Sequence, residues 1–468
     1  MPDQPANPLS IPELDSESAP PGKVDFSLAP RIIKLTLPVA LGSHAESVVG
    51  MIQLFLVGLL GPAALSAVGI SQAFNRVMFT AMMSISRGAL TMVAQAIGAD
   101  SPEQASATAK QAFTLLFGFS ILFGVCSLAI SPFLIPSLTS DPEVIALGTP
   151  YLQVFFVGIP FMTLNRAVAS CFQGAGDTRT PFYLSFLSSS VQITTSYVLI
   201  FGYWGFPELG VVGAAFGSFV GRAISTLVGF ALLYSGHASL TLLPTTSYRF
   251  NWDVARRILK IGVPSGIQGI LRNGSGLVYL KFVGLTALST TAVAAYTIGS
   301  QMEHILRRTG LAYSTVATAL VGQSMGARDP EAAERNGWTT LLIAVMTSVV
   351  LSLPIALFAR PFLGLFTDAS DVIDIGVTYL LVMVLAEPFV CAHNVSGGSL
   401  RGAGETMAPM YYTLISQWLV RLPVAYVLAF TLGFGINGIW AALVIYGILQ
   451  AILTVRKFGQ GEWKTKVI

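Results

Sequence analysis

Three carboxylates, Glu46, Glu303 and Glu387, sit deep inside stretches of sequence that are otherwise apolar. Around them, in equally apolar surroundings, lie Arg76, Arg87, Arg166, Arg222, Arg272, Lys281, Arg307, Arg308 and Arg421. An ionised side chain inside a membrane costs several kcal/mol unless it is paired or faces water. Residues of this type therefore mark ion pairs, proton relays or polar substrate sites. Depth sorts them: Lys281 is near the end of its stretch and can snorkel, and Arg87 and Arg166 lie within reach of an interface. Glu46, Arg222, Arg272, Glu303, Arg307, Arg308, Glu387 and Arg421 fall near midpoints, and Arg76 lies in an outer half.

Their spacing suggests three arrangements. In QMEHILRRTG, Glu303 and Arg307 are i,i+4 and share a helix face,. His304 and Arg308 form the adjacent stripe, and His304 is a candidate proton relay because imidazole titrates near neutrality. This cluster reads either as an ion-pair network or as part of a substrate site. Glu387 precedes Pro388, which frees a backbone carbonyl and predicts a kink,. A carboxylate beside a kink suits a coupling-ion site; a Glu bonded to a nearby Arg or Tyr is the alternative. Glu46 and Arg272 each follow a proline, Pro38 or Pro264, at the same spacing. They read either as a gate that closes when they meet or as two residues satisfied locally. His44 and the pair His393–Asn394 read as packing or hydrogen-bonding groups. No His/Cys/Asp cluster has metal spacing and no phosphate loop is present, so no metal, no cofactor and no ATP hydrolysis are expected. No convergent catalytic set points to an enzyme.

The elements that must hold these residues are membrane helices. Hydrophobic residues make up 53% of the 468-residue chain and charged ones 10%, with a mean hydropathy of +0.69. A soluble domain carries about 25% charged residues. Apolar segments fall near 31–60, 64–97, 111–136, 144–172, 181–203, 210–235, 257–285, 290–321, 337–358, 372–398, 409–433 and 436–457. They predict an all-α membrane protein of twelve transmembrane helices. Lys and Arg in the connections collect on the side of the N-terminus, with Arg360 opposite. Both termini are therefore expected in the cytoplasm, with the protein multi-pass in the cytoplasmic (inner) membrane. Residues 1–28, rich in Pro, Ser and acids, read as a disordered cytoplasmic tail rather than a signal peptide. Cys126, Cys171 and Cys391 read as buried free thiols.

The chain also repeats itself. RIIKLTLP, ending at Pro38, matches RILKIGVP, ending at Pro264. VAQAIGADSPEQA (93–105) matches VGQSMGARDPEAA (321–333), and GVVGAA from Gly210 matches GINGIW from Gly435. GAGDTRTP, from Gly174 to Pro181, matches GAGETMAP, from Gly402 to Pro409. The matches come in the same order and at a nearly constant offset, just under half the chain, which marks a duplication. Two copies of six helices have the same orientation, which implies a pseudo-twofold axis along the membrane normal. The expected organisation is a bundle over 29–235, a cytoplasmic linker over 236–255, a bundle over 256–458 and a C-terminal cytoplasmic tail over 459–468. The GAG phrases read as tight turns: Gly174, Gly176, Gly402 and Gly404 end one helix, Thr178 or Thr180 caps the next, and Pro181 and Pro409 fit its first turn. GxGD is also an intramembrane aspartyl-protease signature, but that chemistry needs a second aspartate in a Tyr-Asp pair, which is absent.

Together the duplicated prolines, the AQAIGA/GQSMGA helix ends and the two GAG turns resemble the MATE (multidrug and toxic compound extrusion) family over about residues 30–457. The resemblance implies a V-shaped pair of six-helix bundles exporting organic compounds by alternating access, as an antiporter with H+ or Na+. It implies a small-molecule organic substrate, no nucleic-acid partner and a monomer. Exporters of this type usually carry an acid late in helix 1, where this chain has Gln53 in GMIQLFLVG, and several carry one in helix 7, where it has Arg272. That departure favours H+ over Na+. It also admits an exporter of organic anions or of a lipid-linked product on the same fold.

Overall fold

The computed structural model describes residues 24–236 and 238–466, without the side chains at 73, 75–78 and 81. Most of the expected N-terminal tail, His237 of the linker and the side chain of Arg76 lie outside the described residues. Twelve long helical elements follow one another: α1 (Ala29–Gly58), α2 (Pro62–Gly98), α3 (Pro102–Leu134), α4 in two segments (Pro142–Val157 and Ile159–Gly174), α5 (Arg179–Phe201), α6 (Val211–Tyr234), α7 (Trp252–Gly284), α8 (Ser289–Gly326), α9 (Pro330–Leu357), α10 (Ser370–Gly402), α11 (Met407–Thr431) and α12 (Gly435–Gly459). The protein is a multi-pass helical membrane protein. Leu122, Val125, Phe133 and Leu419 are each more than 60% exposed, a surface suited to lipid,.

Eight of the helices among the described residues are long and apolar enough to cross a membrane, nine when the two segments of α4 count as one span. The remaining three are α2, α7 and α8, with 37, 33 and 38 residues. Their length suffices, since a helix rises about 1.5 Å per residue. Their apolarity is lower because they carry Arg87, Arg272, Lys281, Glu303, Arg307 and Arg308.

Repeated sequence gives repeated turns. Asp100 and Arg328, at equivalent positions of the two copies, both adopt the left-handed conformation (φ 50° and 58°). A proline then opens the next helix, at Pro102 and Pro330. As a result α3 and α9 start well before the expected positions 111 and 337. In the GAG turns the two glycines have different tasks. Gly176 and Gly404 supply positive φ (84° and 82°),. Gly174 and Gly402 allow close approach: a Cβ there would lie 2.7 Å from the Leu90 carbonyl oxygen and 2.5 Å from that of Thr318.

Asp177, rather than Thr178 or Thr180, caps the helix after the first GAG turn. Asp177 Oδ1 accepts from the backbone N–H groups of Arg179 and Thr180, both at 3.0 Å, and Asp177 Oδ2 accepts from the Thr180 hydroxyl at 2.6 Å. The buried Thr178 hydroxyl has no hydrogen-bond partner among the described residues. A carboxylate accepts several N–H groups at once, so it outcompetes a hydroxyl at a helix start. Glu405 plays the same part in the second copy, accepting from Ala408 N–H at 3.0 Å.

The prolines at 38, 264 and 388 lie within helices that continue through them. The break within a span falls at Gly158 in α4, where the two segments meet at 46°. It precedes Pro160, which is the repeat partner of Pro388.

The chain forms two compact units, and they divide at the prolines rather than at 29 and 256. One unit holds residues 37–262; the other holds 263–466 together with the first turns of α1 up to Thr36. Ile32 is buried with Tyr313, Val316 and Val395. Ile258 is buried with Ile85 and Ala89. Each half thus contributes the start of its first helix to the other half's core. Glycine makes the second contact possible, since a Cβ on Gly88 would lie 2.3 Å from the Ile258 carbonyl oxygen. The described chain also begins earlier than the expected tail allows. Phe26–Leu28 forms a 3₁₀ turn capped by Asp25, whose N–H donates to Thr339 Oγ1 at 3.0 Å. At the other end, Glu462–Thr465 folds back and buries Trp463 in a stack on Phe458.

Candidate substrate and coupling sites in the two units

In the first unit, Glu46 of α1 is held by Arg166 of α4, whose guanidinium donates to Oε2 at 2.5 Å. Ser185 of α5 donates to Oε1 at 3.3 Å. Arg222 of α6 is close enough to act on the same carboxylate electrostatically. Arg166, which the sequence placed within reach of an interface, also lies 5.1 Å from the centre of the Phe79 ring. One carboxylate among two guanidiniums leaves this group net positive.

Further along α1, Gln53 is saturated. Its Nε2 donates to the Ala214 carbonyl at 2.6 Å and to Ser218 Oγ at 3.0 Å. Its Oε1 accepts from Gln192 Nε2 at 2.7 Å. All these partners are neutral, so this cluster can hold polar groups in register but cannot itself take up or release a proton near neutral pH.

In the second unit, α8 and α10 bring together most of the predicted residues. Glu303 Oε1 is ion-paired with Arg307. Glu303 Oε2 accepts from the Tyr379 hydroxyl at 2.6 Å. Glu387 is 2% exposed and its Oε1 has no hydrogen-bond partner among the described residues. Arg307 is the cation whose field reaches it. Arg307 is therefore bonded to one carboxylate and acts electrostatically on the other. His304 is exposed and Arg308 half-buried, on the stripe beside this cluster.

Arg421 of α11 completes the unit's interior. Its guanidinium lies 3.9 Å from the Tyr279 ring centre and 4.8 Å from that of Tyr446. It is 7% exposed, and its Nε has no hydrogen-bond partner among the described residues. Buried cation–π contacts of this kind contribute about 2 kcal/mol. The backbone over Ile415–Arg421 is π-helical, which changes the register just before Arg421,.

His393 is fully engaged. Nε2 faces the amide of Gln450 at 3.0 Å, and Nδ1 lies 2.8 Å from Thr454 Oγ1. Arg272 and Arg401 act on it electrostatically. Arg272, half-buried on α7, lies in the second unit, whereas Glu46 is bonded within the first.

The MatE family model matches residues 38–198 and 264–427, both copies of the repeat. The chain belongs to the MatE family. Each match begins at the proline where the compact units divide. A Thermotoga maritima relative described as a probable multidrug resistance protein NorM is 29% identical over 454 residues, covering 93% of each chain. The Bacillus subtilis transporter YisQ is 25% identical over 448 residues, covering 95% of this chain and 96% of its own. An outward-facing MATE multidrug resistance transporter of the MOP superfamily shares the fold with a TM-score of 0.84 at 20% identity, covering 92% of this chain and 96% of that one. A Pyrococcus furiosus MOP-superfamily transporter, described as having a binding pocket of reversed polarity, gives a TM-score of 0.82 at 21% identity and covers 93% and 96%. This MatE protein is a membrane transporter and not an enzyme.

Sequence reasoning on the MatE chain missed Tyr379 as the second ligand of Glu303. It also missed Tyr279 and Tyr446 as the walls around Arg421. Tyrosines in apolar helices read as packing, and only the fold shows which hydroxyl or ring faces a charge.

Proposed function

We propose that this MatE protein is a secondary antiporter of the cytoplasmic membrane. It exports small organic compounds by alternating access, driven by inward movement of H+, with both termini in the cytoplasm. The observation that carries the reading is Glu387. A carboxyl that is buried, next to a proline and without a bonded cation among the described residues is suited to hold a proton in one state and release it in another,. Once ionised, Glu387 competes with Glu303 for Arg307. Because Glu303 and Arg307 lie on α8 and Glu387 on α10, that exchange changes which helix faces are held together. The neutral Gln53 cluster supports placing the coupling carboxyl in the second unit, and the excess of basic groups disfavours Na+.

The buried Arg421, with rings and no bonded carboxylate around it among the described residues, favours a second reading in which the exported compound is an organic anion. Purified protein in proteoliposomes distinguishes the two. A cationic dye in one set and citrate in another are followed under separately imposed pH and Na+ gradients. Dye efflux driven by the pH gradient and lost in Glu387→Gln supports H+-coupled export of cations. Transport that follows the Na+ gradient, or that survives Glu387→Gln at full rate, rules out this coupling. Citrate movement without dye movement, lost in Arg421→Ala, selects the anion reading.

A further inference from the structure

The segment joining the two repeats is a fixed strap. Lys110 of α3, 2% exposed, donates to the carbonyls of Leu243 at 2.7 Å and Thr246 at 2.8 Å. Gln111 donates to the Arg249 carbonyl at 2.6 Å and accepts from Asn251 N–H at 2.9 Å. These bonds leave a groove of about 530 Å³ between α3 and the strap, lined by Gln111, Thr246, Arg249, Phe250 and Trp252. Phe250 and Trp252 are 55% and 61% exposed, with ring centres 6.1 Å apart. Arg249, Arg256 and Arg257 are exposed, and none of them is ion-paired among the described residues. With Lys260 they set four bases against one acid, Asp253, between positions 249 and 260.

We infer that this groove binds an anionic phospholipid, with the phosphodiester on Arg249, which lines it, and with Arg256 and Arg257 of the adjoining first turns of α7 adding positive charge nearby. Charge alone would suit any anion. The aromatic pair and the position on α3 select a lipid: the face that Ala107 turns to the groove recurs at helical period in Ile121, Leu122 and Val125, which are 44%, 65% and 63% exposed,. A headgroup held at the strap would lay its acyl chains along that strip. Exposed Trp beside Arg at the end of a membrane helix is the chemistry of an interface anchor. The site lies within one compact unit and does not depend on what is transported.

Native mass spectrometry of the full-length protein, offered equal phosphatidylglycerol and phosphatidylcholine, tests the assignment. The expected result is at least about fivefold preferential retention of phosphatidylglycerol, falling to near parity in the triple variant R249A/R256A/R257A. In bilayers, brominated phosphatidylglycerol is expected to quench a fluorescence component that is missing in Trp252→Phe. Equal retention of the two lipids by the wild type overturns the proposal, as does undiminished preference in the folded triple variant. If the triple variant does not fold, quenching that is unchanged in Trp252→Phe overturns it instead. Displacement of the lipid by millimolar inorganic phosphate would make the groove a soluble-anion site and would also overturn it.

Discussion

Gln53 and Tyr279 stand at equivalent positions of the two repeats, and each donates a hydrogen bond to the same equivalent backbone group of its own unit. Gln53 reaches the carbonyl of Ala214 at 2.6 Å, and Tyr279 reaches that of Ile439 at 2.9 Å. The next partner is nearly equivalent as well. Gln192 of α5 bonds Gln53, and Arg421, just past the strictly matching position of α11, covers the Tyr279 ring. The π-helical turn before Arg421 accommodates that slip in register,. The duplication has kept the scaffold of this contact and changed its charge, from neutral amides in one copy to a guanidinium on an aromatic wall in the other.

Tyr279→Phe is expected to cost about 1 kcal/mol, the net value of one buried hydrogen bond. Tyr279→Ala also removes the wall beneath Arg421 and is expected to cost about 3–5 kcal/mol. Thermal unfolding in detergent checks both. Equal losses for the two variants would mean that the ring contributes nothing to holding Arg421.

Arg166→Ala strands Glu46 with Ser185 and the more distant Arg222. The pair is about one-third exposed, so the loss is expected to be about 1–3 kcal/mol, below that for a fully buried pair. Glu46→Gln in the same background is expected to recover most of it. A double-mutant cycle on unfolding midpoints gives the coupling. A coupling near zero would show that solvent screens the pair. A large coupling would show that Arg166 is the principal partner of Glu46.

Glu303→Gln weakens the hold on Arg307 while keeping the amide in reach of Tyr379. Arg307 is then left to Glu387. Under the proposed coupling, transport is expected to shift toward a lower pH optimum and to slow about tenfold or more, because Arg307, no longer shared with Glu303, stays on the ionised Glu387 and opposes its reprotonation. A pH–rate profile identical to wild type would remove Glu303 from the cycle.

The second GAG turn has a pH dependence with a definite sign. Burial pushes the Glu405 carboxyl up, but Lys466, the Ala408 N–H and the charge of Lys457 outweigh it and hold the carboxyl below the usual carboxylate value. A depressed folded pKa stabilises the protein above the unfolded value of about 4.3 and loses that contribution as pH falls through the folded value. Wild-type unfolding temperature is therefore expected to drop more steeply than that of Glu405→Gln between about pH 5 and pH 3. Lys466 is 47% exposed, so Lys466→Ala should remove at most about 1 kcal/mol at neutral pH. Parallel profiles for wild type and Glu405→Gln would show that Glu405 makes no difference to folding.

By itself the sequence determined the parts that depend on solvent and on period. Composition required a membrane, apolar run lengths gave twelve helices, and the near-constant offset of the matched segments gave two copies. The i,i+4 spacing put Glu303 beside Arg307, because neighbours on one helix are fixed by helical geometry alone. Contacts between helices were decided only by the tertiary structure. Nothing local says that Arg166 pairs with Glu46, that Tyr379 bonds Glu303 or that Arg421 rests on Tyr279, since each depends on how two helices are rotated and spaced. The first turns of α1 and α7 make the same point: their sequences are continuous with the spans that follow, yet Ile32 and Ile258 are buried in the cores of the opposite halves. Glycines such as Gly88 allow that approach, and a glycine in a sequence does not name the backbone that will lie against it.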